Sequence, residues 1–383
     1  MIKKCMVKNK FFFPSFLLLL ILLIYFRAPC IFVDDGHWQI KEDSFYSYSI
    51  QNNFLQSILY VYDGGGYFEF ARNIITKFAT YSPIFSQKIS TYLTSIIYLA
   101  IFFYVYFSKS LIFHNKNYKI IIIFLILFSP LMTPEIWLTP AHVKTYFGIL
   151  TFVLILQDLR NQETYKKILH KFVIIFSGFS SIYASAFAPI FFLRFFLEKS
   201  KDNFLNFFCS LLPLIVNAYI YIRFSNNLER FSFSVSKIES FSYNILIRPF
   251  FGSTIPKFLH DKLNINNNEL IFIATFLVII FCILFIIKVF QKKDIIVILI
   301  MASFLLQTIF VMVGSLYPNF VGGRYAVIPG IILLSLFIRF FQLESNYLHK
   351  SLFGFLILMS LSIGFLEFKY LSPLPNMIKC TIH

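Results

Sequence analysis

Residues 33–73 read VDDGHWQIKEDSFYSYSIQNNFLQSILYVYDGGGYFEFARN. Here the chain gathers Asp34, Asp35, Glu42, Asp43, Asp63 and Glu69, its densest run of acids. The stretch follows an apolar run at residues 11–26, itself preceded by Lys3, Lys4, Lys8 and Lys10. A basic start, an apolar segment and then an acidic loop read as a first membrane helix whose N-terminus stays in the cytoplasm. No small-residue cleavage site follows residue 26, so the run reads as a retained helix, not a removed signal peptide.

Working outward, the rest of the chain is apolar. Of 383 residues, 58% are hydrophobic and 14% charged, against about a quarter charged in soluble domains. Runs of the length needed to cross the hydrocarbon core fall at residues 85–107, 119–132, 145–157, 172–197, 204–222, 270–290, 295–316, 325–341 and 352–368. The sequence therefore predicts an all-α, polytopic bundle of about 10–11 membrane segments. It is one integral membrane domain over residues 1–383, with outer loops at 33–84 and 223–269 and no separate soluble domain.

The run at 172–197 is broken by Gly178, a string of small residues and Pro189, and has lysines on both flanks. It reads as two half-helices that enter and return on the same side, an arrangement tolerated only where protein or a water-filled cavity covers the freed backbone. With that assignment the acids sort mainly to the outer side and Lys and Arg to the cytoplasmic side.

The net charge of +16 then belongs to membrane topology, and no nucleic-acid partner is read from it. Cys5, Cys30, Cys209, Cys282 and Cys380 are scattered, with neither a disulfide framework nor a zinc spacing. No metal site is predicted.

Within the first loop, Ile50, Phe54, Leu55, Ile58, Leu59 and Tyr62 recur at helical spacing. They predict an amphipathic helix over 50–62 lying in the membrane interface, and 67–78 reads as a second. Gly64, Gly65 and Gly66 lack the Lys and Ser/Thr of a phosphate-binding loop and read as a turn between the two. Glu42 and Asp43 would then be carried by an interfacial layer near the headgroups. Asp34 and Asp35 are secondary acidic candidates, equally readable as helix-end anchors to water.

The outer side also offers Glu135, Trp137 and His142, then Arg248 before Pro249, and Arg324 with Tyr325 at the mouth of a late helix. His142 reads as either a packing residue or a ligand, and Arg324 as either a snorkelling anchor or an anion-binding group. Trp38 and Trp137 read as members of an interfacial aromatic belt.

Taken in order, KEDSFYS (41–47), GGGYFEFARNI (64–74), TPEIWLTPAHVK (133–144) and GGRYAVIPG (322–330) resemble bacterial multi-pass glycosyltransferases of the GT-C type. The likeness is greatest to the branch that builds envelope polysaccharide. That resemblance implies a polyprenyl-phosphate-linked sugar donor, a glycan or glycolipid acceptor, and a site on the outer face of the bacterial cytoplasmic membrane. It assigns Glu42 and Asp43 as catalytic acids and Arg324 to the donor phosphate. Beside what the resemblance assigns, Tyr325, Arg248, Arg72, Glu135 and His142 are read as further substrate-binding candidates from their place on the outer side, and a divalent cation is the one cofactor left open. The physical account runs parallel: an acceptor hydroxyl needs a base, which a desolvated carboxylate provides, and a departing phosphate needs an arginine fork. A flippase, transporter or polymerase of lipid-linked polysaccharide is the competing expectation.

Overall fold

The computed structural model of the protein describes residues 2–33, 44–62, 66–112, 115–133, 136–224, 243–252, 294–314 and 323–367, with four isolated positions between 272 and 287. Asp34, Asp35, Glu42, Asp43, Glu135, Trp38 and nearly all of the expected span at 270–290 lie outside the described residues.

The chain opens with α1 (Ile2–Arg27), α2 (Cys30–Val33), α3 (Ser44–Gln51) and α4 (Phe54–Ile58), then pairs β1 (Val61–Tyr62) with β2 (Tyr67–Phe68). There follow α5 (Phe70–Thr80), α6 (Ser86–Phe107), α7 (Lys116–Leu127), a 3-10 turn at Pro140–His142, α8 (Val143–Ile155) and α9 (Thr164–Ser180). The short α10 (Ile182–Ser185) leads into α11 (Ala188–Glu198) and α12 (Lys201–Phe224). After a π turn at Tyr243–Ile247 come α13 (Arg248–Phe251), α14 (Ile295–Gly314), a 3-10 turn at Gly323–Ala326, α15 (Val327–Leu343) and α16 (Tyr347–Leu366).

Among the described residues, five helices are long and apolar enough to cross a membrane: Ser86–Phe107, Lys201–Phe224, Ile295–Gly314, Arg324–Leu343 and Tyr347–Leu366. The fold is that of an α-helical membrane protein. Its centre is α8 and α15, hydrophobic on every side and buried along nearly their whole length, as a helix without a polar face must be. Around them, α1, α9, α12 and α16 turn Leu18, Phe172, Tyr219 and Phe355 outward. So many exposed apolar side chains would be a liability in water but suit lipid.

Between helices in lipid, apolar surface alone gives little drive to associate, and close packing and polar bonds decide. Two short helices show how. α7 and α8 span only about 18–20 Å at 1.5 Å per residue, less than a hydrocarbon core, so their C-terminal carbonyls end inside the protein. Each end is met by an arginine from another helix. Arg27 donates to the carbonyls of Leu127 and, at 2.9 Å, Met132, with its guanidinium 4.4 Å from the Trp137 ring centre. Arg194 donates to the carbonyl of Ile155 and pairs with Glu198 at 3.3 Å. A guanidinium at the negative end of a helix satisfies orphan carbonyls and the dipole together.

The half-helix pair is present, with different bounds. The first arm is α9, beginning at Thr164, and the break comes at Ser181 rather than Gly178. Lys167 and Lys171 in the first half of α9 meet Asp202 at the start of α12, at 2.7 and 3.0 Å, so the pair returns to the end it left. Gly178 is retained inside α9 because a Cβ there would stand 2.6 Å from Pro213 of α12.

The first loop departs from expectation. The helix read over 50–62 is broken: Asn52 Nδ2 donates to Tyr48 O, and Asn53 starts a new helix as the cap of a capping box with Gln56. Asparagine side chains compete with the helical ladder in this way. The segment ends in β1, paired in register Val61 to Phe68 and Tyr62 to Tyr67. The second helix accordingly starts at Phe70, not 67. An otherwise all-α bundle thus carries a two-stranded hairpin, with Gly66 at φ 63°. Trp137 is no belt residue either; only 1% of it is exposed, because it packs under the Arg27 guanidinium and edge to face with Tyr98.

Candidate functional site

The hairpin, the 3-10 turn at Pro140–His142, the break at Ser181 and the late 3-10 turn at Gly323–Ala326 converge at one end of the bundle. Helix lengths explain the opening between them. α9 and α12 run side by side from the Lys171–Asp202 contact to Gly178, whose carbonyl accepts from Asn217 Nδ2 at 3.2 Å. There α9 stops, while α12 continues to Phe224, about 10 Å further at the helical rise. The recess left above the break is a cavity of about 500 Å³, within the usual range of ligand sites.

Side chains bond backbone groups around the break. Ser181 Oγ donates to Lys144 O at 2.6 Å and accepts from Ala184 N at 3.2 Å. Gln307 Nε2, on α14, donates to Tyr183 O at 2.9 Å. Asn217 holds both neighbours of the recess: its Nδ2 takes the Gly178 carbonyl, and its Oδ1 accepts from Phe68 N at 3.2 Å. This is the condition under which a broken helix survives at membrane depth.

Charge enters from three short segments. Arg72 stands in the first turn of α5, Lys144 in the first turn of α8, and Arg324 in the 3-10 turn before α15; all three border the cavity, with His142, Tyr67, Tyr183 and Tyr325. Arg324 Nη2 lies 3.4 Å from Tyr325 OH, its guanidinium 5.0 Å from that ring centre. Arg72 lies with its guanidinium 3.8 Å from the ring centre of Phe45, an aromatic seat that fixes a cation without neutralising it.

Beside the cavity, buried to 1% exposure, is Glu69. Its Oε2 accepts from Arg72 Nη1 at 2.7 Å, and Lys144 Nζ lies 2.7 Å from its Oε1. Burial pushes this carboxyl up, but Lys144 first and Arg72 second outweigh it and hold its pKa below the ordinary value. Lys144 needs such a partner: an ammonium at a helix N-terminus opposes the dipole, and an unpaired one would be costly to bury. The second polar contact of the Lys144 ammonium is Tyr67 OH at 3.0 Å.

Of the residues singled out from sequence, the structure brings Arg72, His142, Arg324 and Tyr325 into one cavity. Arg248 is not among its lining residues: its side chain faces Asn244 Oδ1 at 3.4 Å in the adjacent π turn. Glu42, Asp43, Glu135, Asp34 and Asp35 lie outside the described residues. Glu69 was read only as one of the acids of the first loop, and Lys144, Tyr67 and Asn217 were not singled out as site residues. The signal for Glu69 was present: an acid between two phenylalanines with an arginine three residues on. Among the described residues no three His, Cys, Asp or Glu side chains assemble as a metal would need. The Glu69 carboxylate beside the cavity already serves two cations, Arg72 and Lys144.

Comparison with family models, curated proteins and solved structures found no match to this chain.

Proposed function

We propose that the protein is a membrane glycosyltransferase of GT-C character, moving a sugar from a polyprenyl-phosphate-linked donor to an envelope glycan or glycolipid on the outer face of the bacterial cytoplasmic membrane. The observation that carries this reading is the meeting of Arg72, Arg324 and Lys144 in one cavity within an apolar bundle. Cations at a membrane-embedded recess suit an amphiphile with an anionic head, and arginine forks match phosphate oxygens.

An apolar groove of about 400 Å³, lined by Leu59, Val61, Phe68, Phe179, Val216 and Ile220, lies on the other side of the β2–α12 contact. Its chemistry suits a hydrocarbon chain. Glu42 and Asp43 are the acids proposed to supply the base for the acceptor hydroxyl. Two residues after Asp43 comes Phe45, whose ring carries the Arg72 guanidinium. Arg324 and Arg72 are assigned to the phosphate, and His142 and Tyr325 to the substrate's flanks.

The test compares surface glycans and lipid-linked sugars by mass spectrometry in cells carrying the intact protein, Arg324→Ala, or Glu42→Ala with Asp43→Ala, at equal protein level. Loss of one defined sugar from the glycan, with its lipid-linked donor accumulating, supports transfer. Accumulation of complete lipid-linked oligosaccharide with no sugar missing favours a flippase or polymerase instead, a reading to which the buried Lys144–Glu69 pair also lends itself.

A further inference from the structure

We infer that Tyr67 is a substrate-anion ligand, its hydroxyl proton turned into the cavity by the buried Glu69–Lys144 pair. This rests on the phosphate-binding reading of the cavity and names a donor that the sequence does not suggest.

The argument is one of proton placement. A lysine ammonium has three donors and no acceptor, while a phenol has one proton and accepts through its oxygen. Lys144 Nζ lies 3.0 Å from the Tyr67 oxygen, so in this contact Lys144 donates and Tyr67 accepts. The phenolic proton, confined close to the ring plane, then takes the position away from Lys144. Among the described residues no acceptor receives it, and Tyr67 borders the cavity with Arg72 and Arg324. A donor is therefore left facing the space where the two guanidinium groups gather negative charge.

Glu69 fixes the polarity of this arrangement. It is buried, and its negative charge holds Lys144 as the ammonium; a neutral amine could accept from Tyr67 and reverse the bond. The backbone fixes the position. Tyr67 is in β2, whose next residue bonds through its N–H to Asn217 of α12, so the ring is braced on the hairpin and the bundle together. A positive neighbour on the oxygen also polarises the O–H and strengthens it as a donor to an anion. Tyr67 and Arg324 approach the cavity from segments more than 250 residues apart, a two-sided grip on one anionic group.

The test uses the full-length protein in detergent micelles with farnesyl phosphate as probe and farnesol as its uncharged counterpart, binding being read by calorimetry. Tyr67→Phe removes the hydroxyl and keeps the ring. The expected result is farnesyl phosphate binding weakened about tenfold, the effect of one lost hydrogen bond to a charged group, with farnesol binding and melting temperature unchanged. Lys144→Met should weaken farnesyl phosphate at least as much. If the intact protein does not prefer farnesyl phosphate to farnesol, the phosphate reading itself fails. If it does, and Tyr67→Phe binds farnesyl phosphate as tightly as the intact protein or weakens both ligands alike, the role assigned to Tyr67 is overturned.

Discussion

Lys144 Nζ lies 2.7 Å from Glu69 Oε1, joining the first turn of α8 to the residue that opens α5, 75 positions earlier in the chain. The carboxylate is 1% exposed and the lysine side chain 13%. Breaking such a pair from one side strands a charge, at a cost of about 3–5 kcal/mol, whereas removing both partners is often close to neutral. Glu69→Gln and Lys144→Met should each lower the melting temperature in detergent, and the double variant should lie well above the sum of the two. Additive losses would show that the pair is not coupled.

The same carboxylate sets a pH dependence. Its pKa in the folded protein is below the ordinary 4.5, since Lys144 and Arg72 outweigh burial. The stability it contributes is therefore complete above pH 4.5 and is lost as pH falls through the folded value. The gap in stability between the intact protein and Glu69→Gln should stay constant from pH 8 to about 5 and narrow below about 4.5. A gap that widens under acid would reverse the sign and refute the assignment.

Arg27 closes the C-terminal end of α7 from the end of α1. Arg27→Ala leaves buried carbonyls without a donor, and should destabilise by at least about 2 kcal/mol. Arg27→Lys should recover only part of this, since an ammonium cannot both stack on Trp137 and span two carbonyls. Thermal unfolding of the purified variants in one detergent gives the ranking; equal stability of the lysine form and the intact protein would contradict it.

Two glycines in α16 offer a matched test of packing. At Gly364 a Cβ would overlap the backbone carbonyl oxygen of Phe128, which has no room to yield, while at Gly354 it would meet only the Phe341 ring at 3.1 Å. Overpacking of a well-filled interface costs about 1–3 kcal/mol. Gly364→Ala should fall in that range or above it, and Gly354→Ala should be nearly neutral or mildly stabilising through helix propensity. Comparable melting temperatures for the two variants would remove the α7–α16 contact from the account.

Arg248 and Arg324 read alike in the sequence, each in an outer segment with proline close by. The structure separates them, with Arg324 on the cavity and Arg248 facing Asn244. In micelles, Arg324→Ala should weaken farnesyl phosphate binding tenfold or more while Arg248→Ala leaves it within twofold, as expected when only one of the two guanidinium groups touches the anion. The reverse order would move the phosphate site to the π turn.

The sequence by itself determined that the chain is an α-helical membrane bundle, although two of the expected spans, at 119–132 and 145–157, fold as helices too short to cross. Runs of apolar residues report their own burial, because crossing a lipid core is a constraint on each segment alone, and helices such as Ser86–Phe107 and Ile295–Gly314 lie within two residues of where hydropathy puts them. It also marked the broken segment after Gly178, since lysines on both flanks reveal a chain that turns back. Arg72, His142, Arg324 and Tyr325 were visible as residues out of place in greasy surroundings. What only the tertiary structure decided was their convergence, and the partners that make it work. Nothing in the sequence pairs Glu69 with Lys144, 75 positions on; their charges are tolerated because folding packs α5 against α8 and lets each neutralise the other. The hairpin at Val61–Phe68 was hidden for a related reason. Its residues keep a helical spacing of apolar side chains, and the choice between helix and strand fell to Asn53, which capped a new helix, and to Asn217, whose side chain on a distant helix accepts the β2 backbone.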